Sequence, residues 1–260
     1  MKFRKRIKNV FFHKSILWEM SIKQLKAKYS GSMLGIWWAV ATPLILAVSI
    51  NFIFTNVFKV GIENFTFFVL SGIVPWLLFS NAINEAAGSF IANFSVLRQA
   101  IFPREFVPMT SIISNFLIFL IGLLILLPFF IVSNPRVITV LPFLLVVLFF
   151  YLFFLVGLAM IFSSLNVFFR DVSHLLAIGL MVWFWVTPIF YSLDMLPASF
   201  RWICLSNPVT YYVVSYRLIL FEAKPLSLPI LLTLFFISFT SFIVGYAFFL
   251  KNENSLLKRV

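Results

Sequence analysis

The sequence predicts an all-α integral membrane protein. It has six transmembrane helices, an N-terminal interfacial amphipathic helix and re-entrant external gate helices between the fifth and sixth spans. Hydrophobic residues make up 62% of the 260 residues and charged residues only 11%, too little polar surface to cover a water-soluble globule. Apolar runs long enough to cross a bilayer occupy most of the chain. The basic residues behind the net charge of +12 gather at the ends of those runs, not in one patch, which argues for membrane topology and against nucleic acid.

Residues 1–32 read as a basic helix lying on the cytoplasmic face. Drawn at about 100° per residue, Phe11, Trp18, Ile22, Leu25 and Tyr29 fall within about 60° of one another, flanked by Lys14 and Lys26. Such a stripe suits the headgroup boundary, with Lys23, Lys26 and Lys28 meeting anionic membrane lipids; packing on a partner protein is the other reading. "SGS" at 30–32 lets the chain turn from lying flat to spanning. Gly35 and Pro43 then fall inside a span, where both are tolerated. The charged start looks like a signal peptide, but no apolar core follows before residue 33 and no small-residue cleavage site is evident, so the mature chain is expected to keep it.

Spans are expected at 33–58, 65–84, 106–132, 140–169, 175–191 and 228–250, with a tail at 251–260. Each is near the roughly 20 residues that cross about 30 Å of hydrocarbon. An even number of spans returns both termini to one side. That side carries 15 basic residues against 5 on the other, which places both termini in the cytoplasm. Glu85 is expected to close the second span. After the fifth span, Pro197 and "SNP" at 206–208 split a strongly apolar stretch into two pieces too short to cross. These read either as a re-entrant pair over 197–221 or as an amphipathic loop lying on the surface.

Nothing in the sequence points to catalysis or to a metal. It contains no G-x-x-x-x-G-K-[ST], H-E-x-x-H, G-x-S-x-G or paired-cysteine motif. Its single cysteine, Cys204, suits a small apolar filler, and His13 and His174 lie far apart near span ends.

Six segments carry a resemblance when taken in order: "KYSGSMLGIWWAVATPL", "GIVPWLLFSNAI", "FPREFVP", "LNVFFRDV", "TPIFYSLDMLP" and "NPVTYYVVSYR". From about Lys26 to Arg217 the chain resembles the membrane subunits of bacterial polysaccharide ABC exporters, the ABC-2 family. Members of that family export O-antigen, capsule or teichoic acid, and this chain looks most like the O-antigen permeases.

The resemblance implies a homodimer of six-span subunits in the bacterial cytoplasmic (inner) membrane, seated on separately encoded ABC ATPase subunits as a 2+2 complex. ATP and magnesium would then bind the partner, with no cofactor in this chain. It also implies a coupling helix around Asn93 to Glu105, with Asn93, Phe102, Pro103, Arg104 and Glu105 docking on the ATPase, and a second contact from Asn166, Arg170 and Asp171. Asn207 and Pro208 would form the turn between the gate helices.

A channel for lipid-linked polysaccharide needs flat faces on which sugar C–H groups stack. Trp37, Trp38, Trp76, Trp183, Trp185, Tyr191, Tyr211, Tyr212 and Tyr216 are candidates for that path or gate, interfacial anchoring being the alternative for each. Teichoic acid, capsule, or a small lipid or drug stays open as cargo. A passive ion channel is disfavoured because no span carries a ring of like charges.

Overall fold

A computed structural model of the chain describes residues 12–57, 59, 61–94 and 102–259. The described residues are helical throughout, joined by short turns. The helices are α1 (Lys14–Tyr29), α2 (Trp38–Asn56), α3 (Phe65–Ala92), α4 (Phe106–Ser133), α5 (Val137–Phe168), α6 (Val172–Val186), α7 (Ala198–Leu205), α8 (Pro208–Leu220) and α9 (Leu228–Arg259). Among the described residues five helical stretches are long and apolar enough to cross a membrane: Gly35–Asn56, Phe65–Ala92, Phe106–Ser133, Val137–Phe168 and Leu228–Glu253.

Helix α3 is the centre of the bundle, packed by α2, α4, α5, α6 and α8. Its most apolar window is 72% buried, against 17% for each of α2 and the long apolar part of α9. The outer helices therefore leave apolar faces uncovered, such as Ile45, Phe52 and Ile53 on α2 and Leu175, Ile178 and Met181 on α6. Water would penalise such faces heavily; hydrocarbon or a second protein surface does not.

Several boundaries differ from the sequence expectation, each for a physical reason. Gly31 (φ 78°) turns the chain at the expected "SGS", but Gly35 (φ 51°) belongs to this turn and not to the interior of a span. Ser32 Oγ fixes the turn by accepting from the Gly35 amide and from Trp38 Nε1, each at 3.2 Å. The second span does not close at Glu85; α3 continues to Ala92 because that carboxylate is paired within the protein. The expected span at 175–191 is the 15-residue α6, about 22 Å long at 1.5 Å per residue and thus shorter than the hydrocarbon layer. It stops because Pro188 forces the preceding Thr187 into extended backbone (ψ 132°). The expected tail at 251–260 is helical through Arg259, continuing α9.

The interrupted stretch forms α7 and α8 on either side of the "SNP" turn. Asn207 caps α8 by accepting from the Val209 amide at 2.9 Å, and Pro208 supplies the first turn, where its missing N–H costs nothing. The Asn207 amide also donates to Thr187 Oγ1 at 2.9 Å, tying the turn to the end of α6. Cys204 is buried, with its sulfur against the Val186 carbonyl at 3.3 Å.

Candidate functional site

At the end of the bundle where α3 leaves and α4 begins, the candidate docking residues meet α9. Asn93 closes α3 with its amide donating to the Ser89 carbonyl at 2.9 Å, and residues 95–101 of the expected coupling helix lie outside the described residues. Beyond them Pro103 is buried and Phe102 stacks on Phe106 at 6.4 Å. Glu105, 1% exposed, accepts from the Tyr246 hydroxyl at 3.2 Å, and Arg104 pairs with Glu253 at 3.8 Å. Both Tyr246 and Glu253 belong to α9, so this entry to α4 is fastened to the second half of that helix.

The α5–α6 connection lies at the same end, since α4 and α5 are antiparallel neighbours joined by a short turn. Asn166 is buried and accepts from the Ser173 amide at 3.0 Å, satisfying one orphan donor at the start of α6. Ser173 Oγ donates in turn to the Arg170 carbonyl at 3.2 Å. This two-bond lock makes the connection stiff and leaves Arg170 and Asp171 exposed.

One polar cluster has no counterpart in the sequence reading. Lys28, expected to meet lipid, instead places Nζ 2.6 Å from Glu85 Oε2 and donates to Asn115 Oδ1 at 2.8 Å. Gln24 donates to Glu85 Oε1 at 2.7 Å and to Ser111 Oγ at 3.2 Å, and the Asn115 amide donates to Glu85 Oε2. Helix α1 thus packs along α4 through Gln24, Lys28 and the fully buried Ser21. Of its expected apolar stripe, Trp18 faces outward, Ile22, Leu25 and Tyr29 are half-buried, and Phe11 lies outside the described residues. Beside the cluster a cavity of about 140 Å³ is lined by Tyr29, Trp38, Thr42, Asn81 and Asn115 among others. Burial raises the Tyr29 hydroxyl above its ordinary value, so it stays neutral there.

At the opposite end Arg217, one of the five basic residues counted on the outer side, clamps α8 to the stretch that follows α6. It is 4% exposed and donates to the carbonyls of Pro188 at 2.8 Å, Ile189 at 2.7 Å and Tyr191 at 3.2 Å. Its guanidinium also lies 3.8 Å from the centre of the Phe68 ring. A Cβ at Gly72 would sit 3.1 Å from Ile189 Cα and 3.3 Å from Arg217 Nη2, so a larger residue there would make Ile189 or Arg217 give by a few tenths of an ångström. The signal available in the sequence was an arginine in an apolar segment.

The path and gate candidates separate into three groups. Tyr212 and Tyr216 are fully buried; Tyr212 stacks on Tyr151 at 4.3 Å, and Trp76 is buried against Phe79 and Phe184. Trp37, Trp38 and Trp185 are exposed, at 61%, 42% and 61%. Between them lie the half-buried Trp183, Tyr191, Pro208 and Tyr211, with Trp183 edge-on to Phe79 and the Tyr191 hydroxyl donating to Val186 at 3.0 Å. Among the described residues no cluster of histidine, cysteine or carboxylate could hold a metal.

The chain matches the family model described as ABC-2 type transporter over residues 16–221. It is 34% identical over 230 residues to the O-antigen export system permease protein RfbA of Klebsiella pneumoniae, covering 88% of both chains. A second RfbA from the same organism is 35% identical over 231 residues, again covering 88% of both. The RfbA of Myxococcus xanthus is 28% identical over 220 residues, 84% of this chain and 85% of that one. With its membrane-spanning helices and this extent of similarity, the chain belongs to the ABC-2 type transporter family as a multi-pass, non-catalytic permease subunit, homologous to O-antigen export permeases.

Proposed function

We propose that this chain is the channel-forming half of an ATP-driven exporter of lipid-linked polysaccharide, O-antigen in the first instance, across the bacterial inner membrane. The observation that carries the reading is similarity over 88% of the chain to proteins named O-antigen export permeases. Two copies associate with two ATPase subunits, which bind ATP and magnesium. Residues 1–32 lie on the cytoplasmic face, residues 33–250 form the six-span transmembrane domain with α6 as its short fifth span, and both termini are cytoplasmic, in keeping with the 15 to 5 charge bias. Helices α7 and α8 are the external re-entrant pair.

In this reading the ATPase docks on residues 93–105 and on Asn166, Arg170 and Asp171. A stiff α5–α6 connection transmits displacement from a soluble partner better than a flexible loop does. The partly uncovered faces of α2 and α6 meet the second copy, and Trp37, Trp38 and Trp185 offer ring faces to the polymer. Trp76, Tyr212 and Tyr216 form the packed wall behind that path.

Tagged protein expressed with its genomic neighbours is expected to co-purify with an ATPase subunit, and deletion of its gene to remove surface polysaccharide. Recovery of the chain without any ATPase, together with unchanged surface polymer after deletion, would contradict the proposal.

A further inference from the structure

Four of the five long helices carry a proline within them: Pro43 in α2, Pro75 in α3, Pro128 in α4 and Pro142 in α5. Proline removes a backbone hydrogen bond and creates a point of bending. Helix α9 is 32 residues long with its sole proline, Pro229, in the first turn, so its backbone ladder continues past the end of the membrane span. It is the one long helix among the described residues without a proline beyond its first turn.

Helix α9 is fastened at three places. Tyr246 donates to the buried Glu105, and two turns further on Glu253 pairs with Arg104, the two residues just before α4. Next to Tyr246 the helix lies against α5 in backbone contact: a Cβ at Gly157 would run into Ser241, and a Cβ at Gly245 would run into the Gly157 carbonyl. Ser241 Oγ also donates to the Phe154 carbonyl at 2.9 Å. Further along, Ser238 meets Tyr212 of α8 at 2.7 Å. Since Ser238 gives its only hydroxyl proton to the Leu234 carbonyl at 2.6 Å, the Tyr212 hydroxyl must donate to Ser238. On the same helix as Tyr212, Arg217 holds the non-helical stretch at Pro188, Ile189 and Tyr191.

We propose that α9 is a transmission rod, seated against α5 along the Gly157–Gly245 contact, that carries movement of the Arg104–Glu105 segment to the gate helix α8 through the Ser238–Tyr212 hydrogen bond. Tyr246 and Ser238 are its positioning residues. The proposal rests on the reading that residues 93–105 dock on the ATPase. It assigns to the last helix a mechanical task between that docking site and the far-side gate. Both hydrogen bonds lie within the protein and touch no substrate, so their loss disconnects the gate without emptying the ATPase site.

The test uses the purified permease–ATPase complex and scores ATPase co-purification, ATP hydrolysis and polymer export together. Tyr212→Phe keeps the ring stack and removes only the donated hydroxyl; Ser238→Ala removes the acceptor; Tyr246→Phe removes the hydrogen bond to Glu105. Each is expected to keep ATPase binding and hydrolysis within about twofold while export per ATP falls about fivefold, the weight of one buried hydrogen bond. Tyr212→Phe combined with Ser238→Ala should be no worse than either alone, as for two partners of one bond. Thr233→Ala, which removes an exposed hydroxyl bonded only to its own helix, should leave export per ATP unchanged. If Ser238→Ala fails to accumulate, Tyr246→Phe carries the test alone. Parallel loss of hydrolysis and export, or unchanged export per ATP in all three variants, would overturn the rod while leaving the docking reading intact. A wild-type chain that recovers no ATPase would overturn the docking reading instead, and with it the basis of the rod.

Discussion

Lys28 Nζ and Glu85 Oε2 lie 2.6 Å apart, joining the helix that precedes the first span to the middle of the bundle. Asn115 bridges the two, so three helices share one charge-assisted cluster. A lone charge here would face an apolar bundle end, whereas a bonded pair does not. The pair is about a quarter exposed, which tempers its strength.

Replacing Lys28 with Met leaves Glu85 without its cation and should lower stability by about 1 to 2 kcal/mol, read as a fall in the melting temperature of detergent-solubilised protein. Exchanging the partners, Lys28→Glu with Glu85→Lys, should recover part of that loss. A double variant as unstable as the sum of the singles would show that the pair is not coupled.

At the Gly157–Gly245 contact any side chain must displace backbone. Gly157→Ala and Gly245→Ala should each cost about 1 to 3 kcal/mol through overpacking, measured as loss of thermal stability. Gly179, which has open space around its Cβ position on α6, provides the contrast. Gly179→Ala should be neutral or stabilise by about 0.5 to 1 kcal/mol through helix propensity.

Arg217 satisfies three backbone carbonyls that the break after α6 leaves without helix partners. Lysine cannot reproduce that fork, so Arg217→Lys should cut surface polysaccharide about tenfold, with Arg217→Met at least as severe. Quantitative blotting of surface polymer at matched permease levels checks this.

On the α5–α6 connection, Asn166 and its neighbours should behave differently. Asn166→Ala removes the bond to the Ser173 amide and should destabilise by about 1 kcal/mol. Arg170→Ala and Asp171→Ala alter only exposed side chains, so they should leave melting unchanged and instead weaken ATPase co-purification.

How much of this was legible depended on how local the cause was. The apolar runs, the turn at "SGS" and the division at Asn207–Pro208 are encoded by neighbours in sequence and emerged where expected. The early end of α6 was also local, since Pro188 was visible, but its effect on Thr187 was outweighed by the length of the apolar run. The pairing of Lys28 with Glu85 was not legible: nothing adjacent to either residue announces the other, and Lys28 looked like one more basic residue at a membrane surface. Arg217 was hidden likewise, because the carbonyls that hold it become available only when α6 breaks. Residue type alone marks the aromatic candidates, and composition does not distinguish Tyr212, packed in the core, from the exposed Trp185.

The most direct measurement reconstitutes the permease with its ATPase in sealed vesicles and follows passage of lipid-linked polysaccharide across the bilayer. The account predicts transport that requires ATP, magnesium and both subunits and that exceeds transport of the same sugars without a lipid anchor. Equal movement without ATPase or ATP, or ATP-driven movement of small amphiphiles with no polymer transport, would contradict it.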